Sequence, residues 1–469
     1  MLQTIESINN VVNNFIWGVP AMICIIGVGL YLSLRTGFVQ IRKFPYALKT
    51  TLGRIFKKKE ASDGSMTPFQ AVCTALAGTV GTGNIAGVAG AIAIGGPGAV
   101  FWMWVSALLG MCTKFTEVTL AVHFRERNRH GDYVGGPMYY IKNGLGKNWR
   151  FLAVLYSAFG VLTVFGTGNA TQVNTITTAI DTALINFNVI SESSTGRLNL
   201  ILGIVITLLV GMVLLGGIKR IGSVSEKLVP FMALFYIVLA LGVVILNIGR
   251  VPAVFHDIVY GAFNPSAVTG GVIGSFFLSM KKGVSRGIFS NEAGLGSAPI
   301  AAAAAQTKEP VRQGLVSMTG TFIDTIVICT MTGLSIVLTG AWQVEGLEGV
   351  QVTTYAFQHG LPIPGQISSF VLMICLVFFA FTTILGWDYY SERCLEYLTN
   401  GHKKTILTYR WLYILAVFIG PYMTVSAVWT IADIFNGLMA IPNMIALFVL
   451  SGVVVKETKA FFDAKKHKM

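Results

Sequence analysis

The chain has 469 residues, of which 54% are hydrophobic and 12% are charged. Soluble domains carry about twice that share of charged residues, so the composition excludes an ordinary soluble globular protein. Apolar runs of roughly 18 or more residues, which are candidate membrane-spanning helices, recur along the whole chain. The sequence therefore predicts an all-α integral membrane protein that lies in a lipid bilayer.

Eleven predicted spans follow one another with short connections between them. They are 15–35, 67–95, 98–124, 150–184, 198–217, 228–249, 266–290, 313–341, 366–390, 408–428 and 430–455. An extra N-terminal span with its basic loop (1–66) precedes five spans in 67–249 and five in 266–455, and a basic tail (456–469) follows. Because each half has an odd number of spans, the second half crosses the membrane in the opposite sense, as in an inverted repeat.

The net charge of +13 is distributed unevenly between the two sides of the predicted spans. Of the 34 lysines and arginines, 31 lie on one set of alternate sides, and this number includes Lys281, Lys282 and Arg286. Positive residues collect in cytoplasmic loops, so we predict a multi-pass protein of the cell membrane with its N-terminus outside and its C-terminus in the cytoplasm. Anionic headgroups account for the basic charge, and no nucleic-acid partner is expected.

The second predicted span contains the glycine-rich stretch LAGTVGTGNIAGVAG at 76–90. Glycine is about 1 kcal/mol worse than alanine in a helix interior, so Gly78, Gly81 and Gly83 together with Asn84 favour a helix that is broken within the membrane. The backbone groups exposed by such a break can bind a carboxylate or a small cation. For Gly90, close packing of helices is an equally good explanation.

A corresponding stretch opens the second half of the chain, SAVTGGVIGSFFLSMKKGVSRGIFSNEAG from Ser266. We predict that this span is unwound between Ile273 and Phe277. Interrupted helices at corresponding positions of two halves are typical of a secondary transporter.

Four motifs resemble those of the alanine or glycine:cation symporter family, which is usually sodium-coupled. They are AGTVGTGNIAGVAGAIAIGGPGAVFWMW (77–104), GGPMYYI (135–141), GNATQVN (168–174) and RGIFSNEAGLGSAPIAAAA (286–304). The resemblance covers nearly the whole chain. It implies a LeuT-type fold of five plus five inverted spans, with two broken helices and one extra span in front.

The resemblance also implies a substrate site at the first break. In that fold the backbone amides around Thr79, Gly81, Thr82 and Gly83 hold the substrate carboxylate. Gln172, in GNATQVN, is a further candidate for substrate contact, and a structural hydrogen bond between helices is the alternative.

The same resemblance implies a sodium site and an ammonium site. Carbonyls of Ala77, Val80 and Phe379 and the hydroxyls of Thr382 and Thr383 would surround sodium; hydroxyls bonded only to their own helix are the alternative. Carbonyls of the second break would receive the substrate ammonium, and its two aromatic rings would close over the side chain. These residues are Ile273, Gly274, Ser275, Phe276 and Phe277.

Several charged residues lie inside predicted spans. Asp324 and Asp433 either couple protons or ions to transport or are hydrogen-bonded within the bundle. Lys114 and Glu117 stand three residues apart on one helix face and are expected to pair. Glu292 is expected to hold a loop at the cytoplasmic end.

We expect a secondary symporter of small neutral amino acids, alanine or glycine, driven by the sodium gradient through alternating access. Sodium would be the coupling ion, and no organic cofactor is expected. A proton-coupled or uncoupled amino-acid transporter or exchanger of the same fold is the alternative. An enzyme is not expected, because the sequence has no HExxH or GxSxG motif and its six histidines lie at span ends, in loops or in the tail.

Overall fold

A computed structural model describes residue 11 and residues 15–55, 67–265 and 275–466, most of which are helical. The α-helices are α1 Val19–Arg35, α2 Val39–Arg42, α3 Phe44–Ile55, α4 Pro68–Thr79, α5 Ala86–Gly95, α6 Gly98–His123, α7 Pro137–Tyr140, α8 Arg150–Thr163, α9 Thr171–Asn186, α10 Thr195–Leu214, α11 Gly217–Leu246, α12 Val251–Phe263, α13 Phe276–Asn291, α14 Ala298–Ala303, α15 Pro310–Thr321, α16 Thr330–Thr339, α17 Val350–Gly360, α18 Gly365–Thr399, α19 Lys403–Val417 and α20 Val425–Lys466. Shorter 3₁₀ segments are Thr82–Asn84, Lys147–Trp149, Glu192–Ser194, Ile248–Arg250, Ala341–Gln343 and Gly420–Tyr422, and π-helical segments are Ile141–Leu145, Val164–Ala170 and Phe322–Cys329. An antiparallel hairpin joins β1 Glu126–Arg127 to β2 Tyr133–Val134, with Glu126 opposite Val134.

Seven helical segments of the described residues are long and apolar enough to cross a membrane, and a bent pair adds an eighth. They are Gly98–His123, Lys147–Asn186, Glu192–Leu214, Gly217–Leu246, Pro310–Thr339, Gly365–Thr399 and Val428–Lys465, with the bent pair Phe69–Thr79 and Thr82–Gly95. Each overlaps a predicted span, which agrees with an all-α membrane protein. The last helix is longer than predicted, because it continues to Lys466 through most of the predicted tail.

The first break is present at its predicted position. At the start of α4, Thr67 and Gln70 form a capping box in which each side chain accepts from the other's backbone amide at 3.1 Å, which fixes where the helix begins. After α4 ends, Val80 and Gly81 take extended dihedral angles before the 3₁₀ turn and α5. The two helices are bent by 56°.

The second break lies after Asn291, where α13 ends. Glu292 takes the left-handed region with φ of 55°, and Gly294 and Gly296 follow with φ of 95° and 75°. Glycine adopts such angles without steric cost, so the two glycines allow the chain to leave the helix here. The chain becomes helical again in α14.

The prediction of an unwound segment at 273–277 is wrong for its described aromatic residues. The Ser275 hydroxyl accepts from the Leu278 amide at 3.1 Å and caps α13, whose first residues are Phe276 and Phe277. A serine in this position starts a helix rather than interrupting one. Ile273 and Gly274 lie outside the described residues.

The position of the break also changes the reading of the charges. Lys281, Lys282 and Arg286 precede it in α13, whereas Lys308 and Arg312 follow it. Lys308 lies after α14 and Arg312 lies in α15, so the five basic residues do not belong to one loop. The predicted orientation of the chain stays a prediction.

The broken helices lie together inside the bundle. α13 packs against α5 and α6, and α6 also packs against α15. α18 packs against α4, α8, α9 and α11, and the extra helix α1 lies on α6 and α20. This arrangement places both breaks between helices from distant parts of the chain.

Candidate functional site

The end of α13 touches the 3₁₀ turn of the first break. A Cβ atom at Gly83 would lie 3.0 Å from Cδ1 of Phe289 and 3.2 Å from Cα of Ser290. Because glycine has no Cβ, it lets the two backbones approach this closely. The two interrupted helices therefore meet at Gly83.

Four predicted sodium ligands lie together between the first break and α18. The Thr383 hydroxyl lies 2.9 Å from the carbonyl oxygens of Ala77 and Phe379 and 3.5 Å from that of Val80. A hydroxyl carries one hydrogen, so it cannot satisfy three carbonyls, and the group keeps unshared oxygen lone pairs. Unwound carbonyls of this kind coordinate sodium in transporters, and these residues fit a small monovalent cation.

The neighbouring hydroxyl, that of Thr382, is placed differently. It lies 3.0 Å from the carbonyl oxygens of Phe378 and Phe379 in its own helix and 3.6 Å from Sδ of Met232 in α11. It shares the Phe379 carbonyl with the oxygen group, which is the carbonyls of Ala77, Val80 and Phe379 with the Thr383 hydroxyl. Its hydrogen bonds to other described residues do not reach the carbonyls of the first break. Of the two predicted hydroxyl ligands, Thr383 bridges the helices.

Two predicted substrate-binding amides belong to a polar group around the first break. The Gly81 amide donates to Oδ1 of Asn84 at 2.8 Å, and the Thr82 amide donates to Oε1 of Gln172 at 3.4 Å. Nε2 of Gln172 donates to the Thr167 carbonyl at 2.9 Å. The buried Thr82 hydroxyl has no hydrogen-bond partner among the described residues. Gln172 therefore faces the break, and its position suits both the substrate role and the structural role.

Thr79 does not belong to the unwound segment. It is the last residue of α4, and the following amide, that of Val80, still donates to the Leu76 carbonyl at 2.7 Å. The C-terminal end of a helix frees carbonyls rather than amides. The prediction that the Thr79 amide helps to hold a carboxylate is therefore not supported by the backbone.

Asp324, in the π-helical segment, contacts both broken helices. Its Oδ1 accepts from Nδ2 of Asn84 at 2.7 Å, and its Oδ2 accepts from the hydroxyls of Ser290 and Thr325 at 2.8 and 2.7 Å. The carboxylate is fully buried. It is hydrogen-bonded within the bundle, as one of its two predicted roles requires. Its hydrogen bonds connect Asn84 at the first break to Ser290 before the second.

An aromatic and charged layer lies beside the first turn of α5. Trp429 of α20 would be 3.4 Å from a Cβ at Gly87, and its ring centroid is 4.7 Å from that of Phe289. Arg286 lies over Trp429 at 4.5 Å and donates to both carboxylate oxygens of Asp433 at 2.6 and 2.9 Å. Asp433 is thus paired with an arginine across two helices.

The sequence did not identify Trp429 and Phe289 as site residues. Phe289 lies in the motif at 286–304, so that motif was the available signal for it. Trp429 is far from every other site residue along the chain except Asp433, and nothing in its local sequence distinguishes it from a core tryptophan. Packing of α20 against the broken helices brings it to the site.

The aromatic residues predicted to cover the substrate lie elsewhere. Phe276 packs its ring against Trp102 at 5.4 Å between centroids, and Phe277 is 56% exposed. Phe276 precedes Phe289 by 13 residues of continuous helix, a distance of about 20 Å along the axis. Neither Phe276 nor Phe277, nor the helix cap Ser275, is brought to the first break.

A family model described as the sodium:alanine symporter family matches residues 2–469. The chain belongs to this family. It is 47% identical over 466 residues to the sodium/alanine symporter AgcS of Methanococcus maripaludis, with 98% of each chain covered. It is also 37% identical over 471 residues to the probable sodium/glutamine symporter GlnT of Bacillus subtilis, with 99% of this chain and 92% of GlnT covered.

The fold is similar to that of a solved transporter. The crystal structure of MhsT in complex with L-phenylalanine superimposes with a TM-score of 0.56 at 13% sequence identity, covering 85% of this chain and 99% of MhsT. This likeness confirms the LeuT-type fold. Together with the family, it makes the chain an amino-acid:cation symporter and a transporter rather than an enzyme.

Proposed function

We propose that this symporter couples the sodium gradient to the uptake of small neutral amino acids, alanine or glycine, by alternating access across the cell membrane. The observation that carries the proposal is the group of oxygens at Ala77, Val80, Phe379 and Thr383. It joins the broken helix to α18. A cation bound to these oxygens holds α4 and α18 together, so release of the cation can be linked to separation of the two helices.

The substrate carboxylate is proposed to bind at the first break. The amides of Gly81, Thr82 and Gly83 lie at the N-terminal side of α5, where a helix favours negative charge. The present partners of the Gly81 and Thr82 amides, Asn84 and Gln172, are side chains that can be displaced or can turn to the ligand.

The ammonium group is proposed to bind carbonyls at the C-terminal end of α13, which replaces the site predicted at 273–277. The last turn of a helix leaves its carbonyls without intrahelical partners. Phe289 and Ser290 stand in this turn and touch Gly83. Phe289 and Trp429 pack together beside Gly87, and rings so close to the break are proposed to exclude side chains as large as that of the amino acid in the name of GlnT.

Proton coupling is the second candidate, and Asp324 is the observation that favours it. A buried carboxylate that contacts both breaks can couple their movement to a proton, since intramembrane carboxylates serve as proton relays. Under the sodium proposal, Asp324→Asn changes activity without abolishing the sodium requirement. Under proton coupling, the variant loses uptake that is driven by a pH gradient.

The test is uptake of labelled alanine into proteoliposomes that contain the purified protein. We expect an inward sodium gradient to drive accumulation, and a proton gradient without sodium to drive none. Alanine amide is expected to compete poorly, because it lacks the carboxylate. Accumulation without sodium, or counterflow alone, would contradict the proposal and favour the second candidate or an exchanger.

A further inference from the structure

Glu117 of α6 is bonded to the backbone of the second break. Its Oε1 accepts from the amides of Gly294 and Gly296, each at 3.0 Å, and the side chain is fully buried. Both glycines have positive φ and lie in the unwound segment, residues 292–297. A break inside a membrane leaves amides that lipid cannot satisfy, and here a carboxylate from another helix satisfies two of them.

The same oxygen also connects the unwound segment to α20. Nδ2 of Asn443 donates to Oε1 of Glu117 at 2.7 Å and to the Gly294 carbonyl at 2.8 Å. The Tyr140 hydroxyl of α7 donates to Oδ1 of Asn443. Glu117 therefore connects α6, the second break and the last helix through one carboxylate.

A lysine one turn away supplies the charge that balances this carboxylate. Nζ of Lys114 lies 3.9 Å from Oε2 of Glu117, and both side chains are buried. Neither of these two atoms has a hydrogen-bond partner among the described residues. Oε1 of Glu117 thus accepts hydrogen bonds from the break and from Asn443, whereas Oε2 accepts none from the described residues and faces the lysine.

A second buried carboxylate stands at the start of the unwound segment. Oε2 of Glu292 accepts from the Ser297 hydroxyl at 2.5 Å, whereas its Oε1 has no partner in the described part of the chain. The segment is therefore held by an incomplete set of bonds. A fully satisfied polar network makes a core rigid. A network with unused acceptors can exchange hydrogen-bond partners more easily.

We propose that Glu117 is a positioning residue of the transport cycle, which anchors the unwound segment 292–297 to α6 and α20 so that α13 and α14 turn about a fixed point. Lys114 lies beside the carboxylate and attracts its charge, and Oε1 holds three donors at once. In the described part of the chain, no hydrogen bond or ion pair joins Glu117 to the oxygen group or to the first break. Its role is to set the rate of the conformational change rather than the affinity for either ligand.

The first experiment measures hydrogen exchange in the purified full-length chain, with no substrate present. In Glu117→Gln the carbonyl that replaces the carboxylate accepts weaker bonds. We expect the amides of 292–297 to exchange faster by about tenfold, which corresponds to roughly 1.4 kcal/mol. Peptides from α11 should exchange as in the parent. Unchanged exchange in 292–297 overturns the proposal.

The second experiment measures sodium-driven alanine uptake, and it rests on the proposed function. For Glu117→Gln we expect turnover to fall by about tenfold while KM for alanine changes less than about threefold, since only the conformational step is affected. Glu309→Gln, in a half-exposed ion pair with Arg312, is the matched control. Unchanged turnover, or a change in KM as large as that in turnover, overturns the proposal.

Asn443→Leu provides a second variant in case Glu117→Gln does not fold. It removes one donor and the connection to α20 but leaves both glycine amides on Glu117, so we expect smaller effects in the same direction. Glu117→Asp keeps the charge and should recover part of the lost turnover. If the parent lacks sodium-driven alanine uptake, the proposed function fails, and the exchange experiment still decides the role of Glu117.

Discussion

The hydroxyls of two adjacent threonines in α18, Thr382 and Thr383, contact different helices. Thr382 and Thr383 both follow Phe379 by about one turn, so the sequence treats them alike. Successive residues of a helix point about 100° apart, and α4 packs against only one side of α18. Thr383 therefore meets the carbonyl of Ala77, while Thr382 faces Met232.

The first prediction separates these two hydroxyls. Thr383→Ala leaves the Ala77 and Phe379 carbonyls without their donor and removes one proposed sodium ligand. A lost buried partner costs about 1–3 kcal/mol, which raises the sodium concentration for half-maximal uptake by roughly 5-fold to 150-fold. Thr382→Ala should change it less. The measurement is alanine uptake against sodium concentration.

Thr383→Ser is the matched control, because it keeps the hydroxyl and removes a methyl group. It should require sodium much as the parent does. Equal sodium dependence in the parent and a folded Thr383→Ala variant would falsify the assignment of the oxygen group as the sodium site.

At the scale of elements, the two breaks differ in how clearly the sequence marks them. The first is recognisable because glycines and Asn84 interrupt an otherwise regular apolar run. The second was placed at the wrong glycines, because the run before Phe276 is richer in glycine than the segment that unwinds. Ser275 starts a helix there, and the turn at Gly294 and Gly296 depends on Glu117 of another helix.

The second prediction concerns the glycines of the first break. A Cβ at Gly81 would lie 2.5 Å from the Thr383 hydroxyl and 3.3 Å from Oε1 of Gln172, whereas a Cβ at Gly90 meets nothing within 4 Å. Gly81→Ala should therefore lose alanine binding in sodium. Gly90→Ala lies within α5 and should be neutral or stabilising by up to about 1 kcal/mol. Binding and thermal melting of the purified variants provide the test.

Parent-like alanine binding by Gly81→Ala would show that the chain is not closely apposed to α18 at this point. A strong loss of binding in Gly90→Ala would point instead to a packing contact of α5. Either result contradicts the assigned geometry of the first break.

At the scale of the whole molecule, the aromatic layer beside the first break is formed by helices far apart in sequence. Trp429 of α20 and Phe289 of α13 pack together beside Gly87 of α5. Arg286 and Asp433 join α13 to α20 next to this pair. Removing one partner of a buried ion pair costs about 3–5 kcal/mol, so loss of either Arg286 or Asp433 would destabilise this layer.

The third prediction concerns substrate size. Trp429→Ala removes the largest ring beside the first break, so leucine and glutamine should compete better against labelled alanine than they do in the parent. Trp411→Ala, at a site that is 48% exposed, serves as the control and should leave the competition profile unchanged. Identical profiles in Trp429→Ala and the parent would remove Trp429 from the substrate pocket.

The fourth prediction concerns the orientation of the chain. Basic residues collect in cytoplasmic loops, so we expect the C-terminus in the cytoplasm and the N-terminus outside. A fluorescent protein fused to the C-terminus should fluoresce inside cells, and a short N-terminal tag should be accessible to antibody on intact cells. The opposite pattern of accessibility would reverse the orientation.

The sequence alone was enough for the class of the protein, the family and the first break. Hydrophobic runs reveal the membrane spans without knowledge of the fold, because lipid requires every span to satisfy its own backbone hydrogen bonds. The distribution of lysine and arginine adds a predicted orientation. The capped start of α4 and the glycines after it are local signals of the same kind. Ala77, Val80, Phe379 and Thr383 were predicted through the resemblance, and the structure brings their oxygens together.

Only the tertiary structure decided the rest of the site. Whether Thr382 or Thr383 bridges two helices depends on the rotation of α18, and the place of the second break depends on which amides Glu117 satisfies. The pairing of Asp433 with Arg286 and the position of Trp429 result from packing between α13 and α20. Such contacts join residues more than a hundred positions apart, and no local pattern specifies them, because the partner of a buried polar group is chosen by packing.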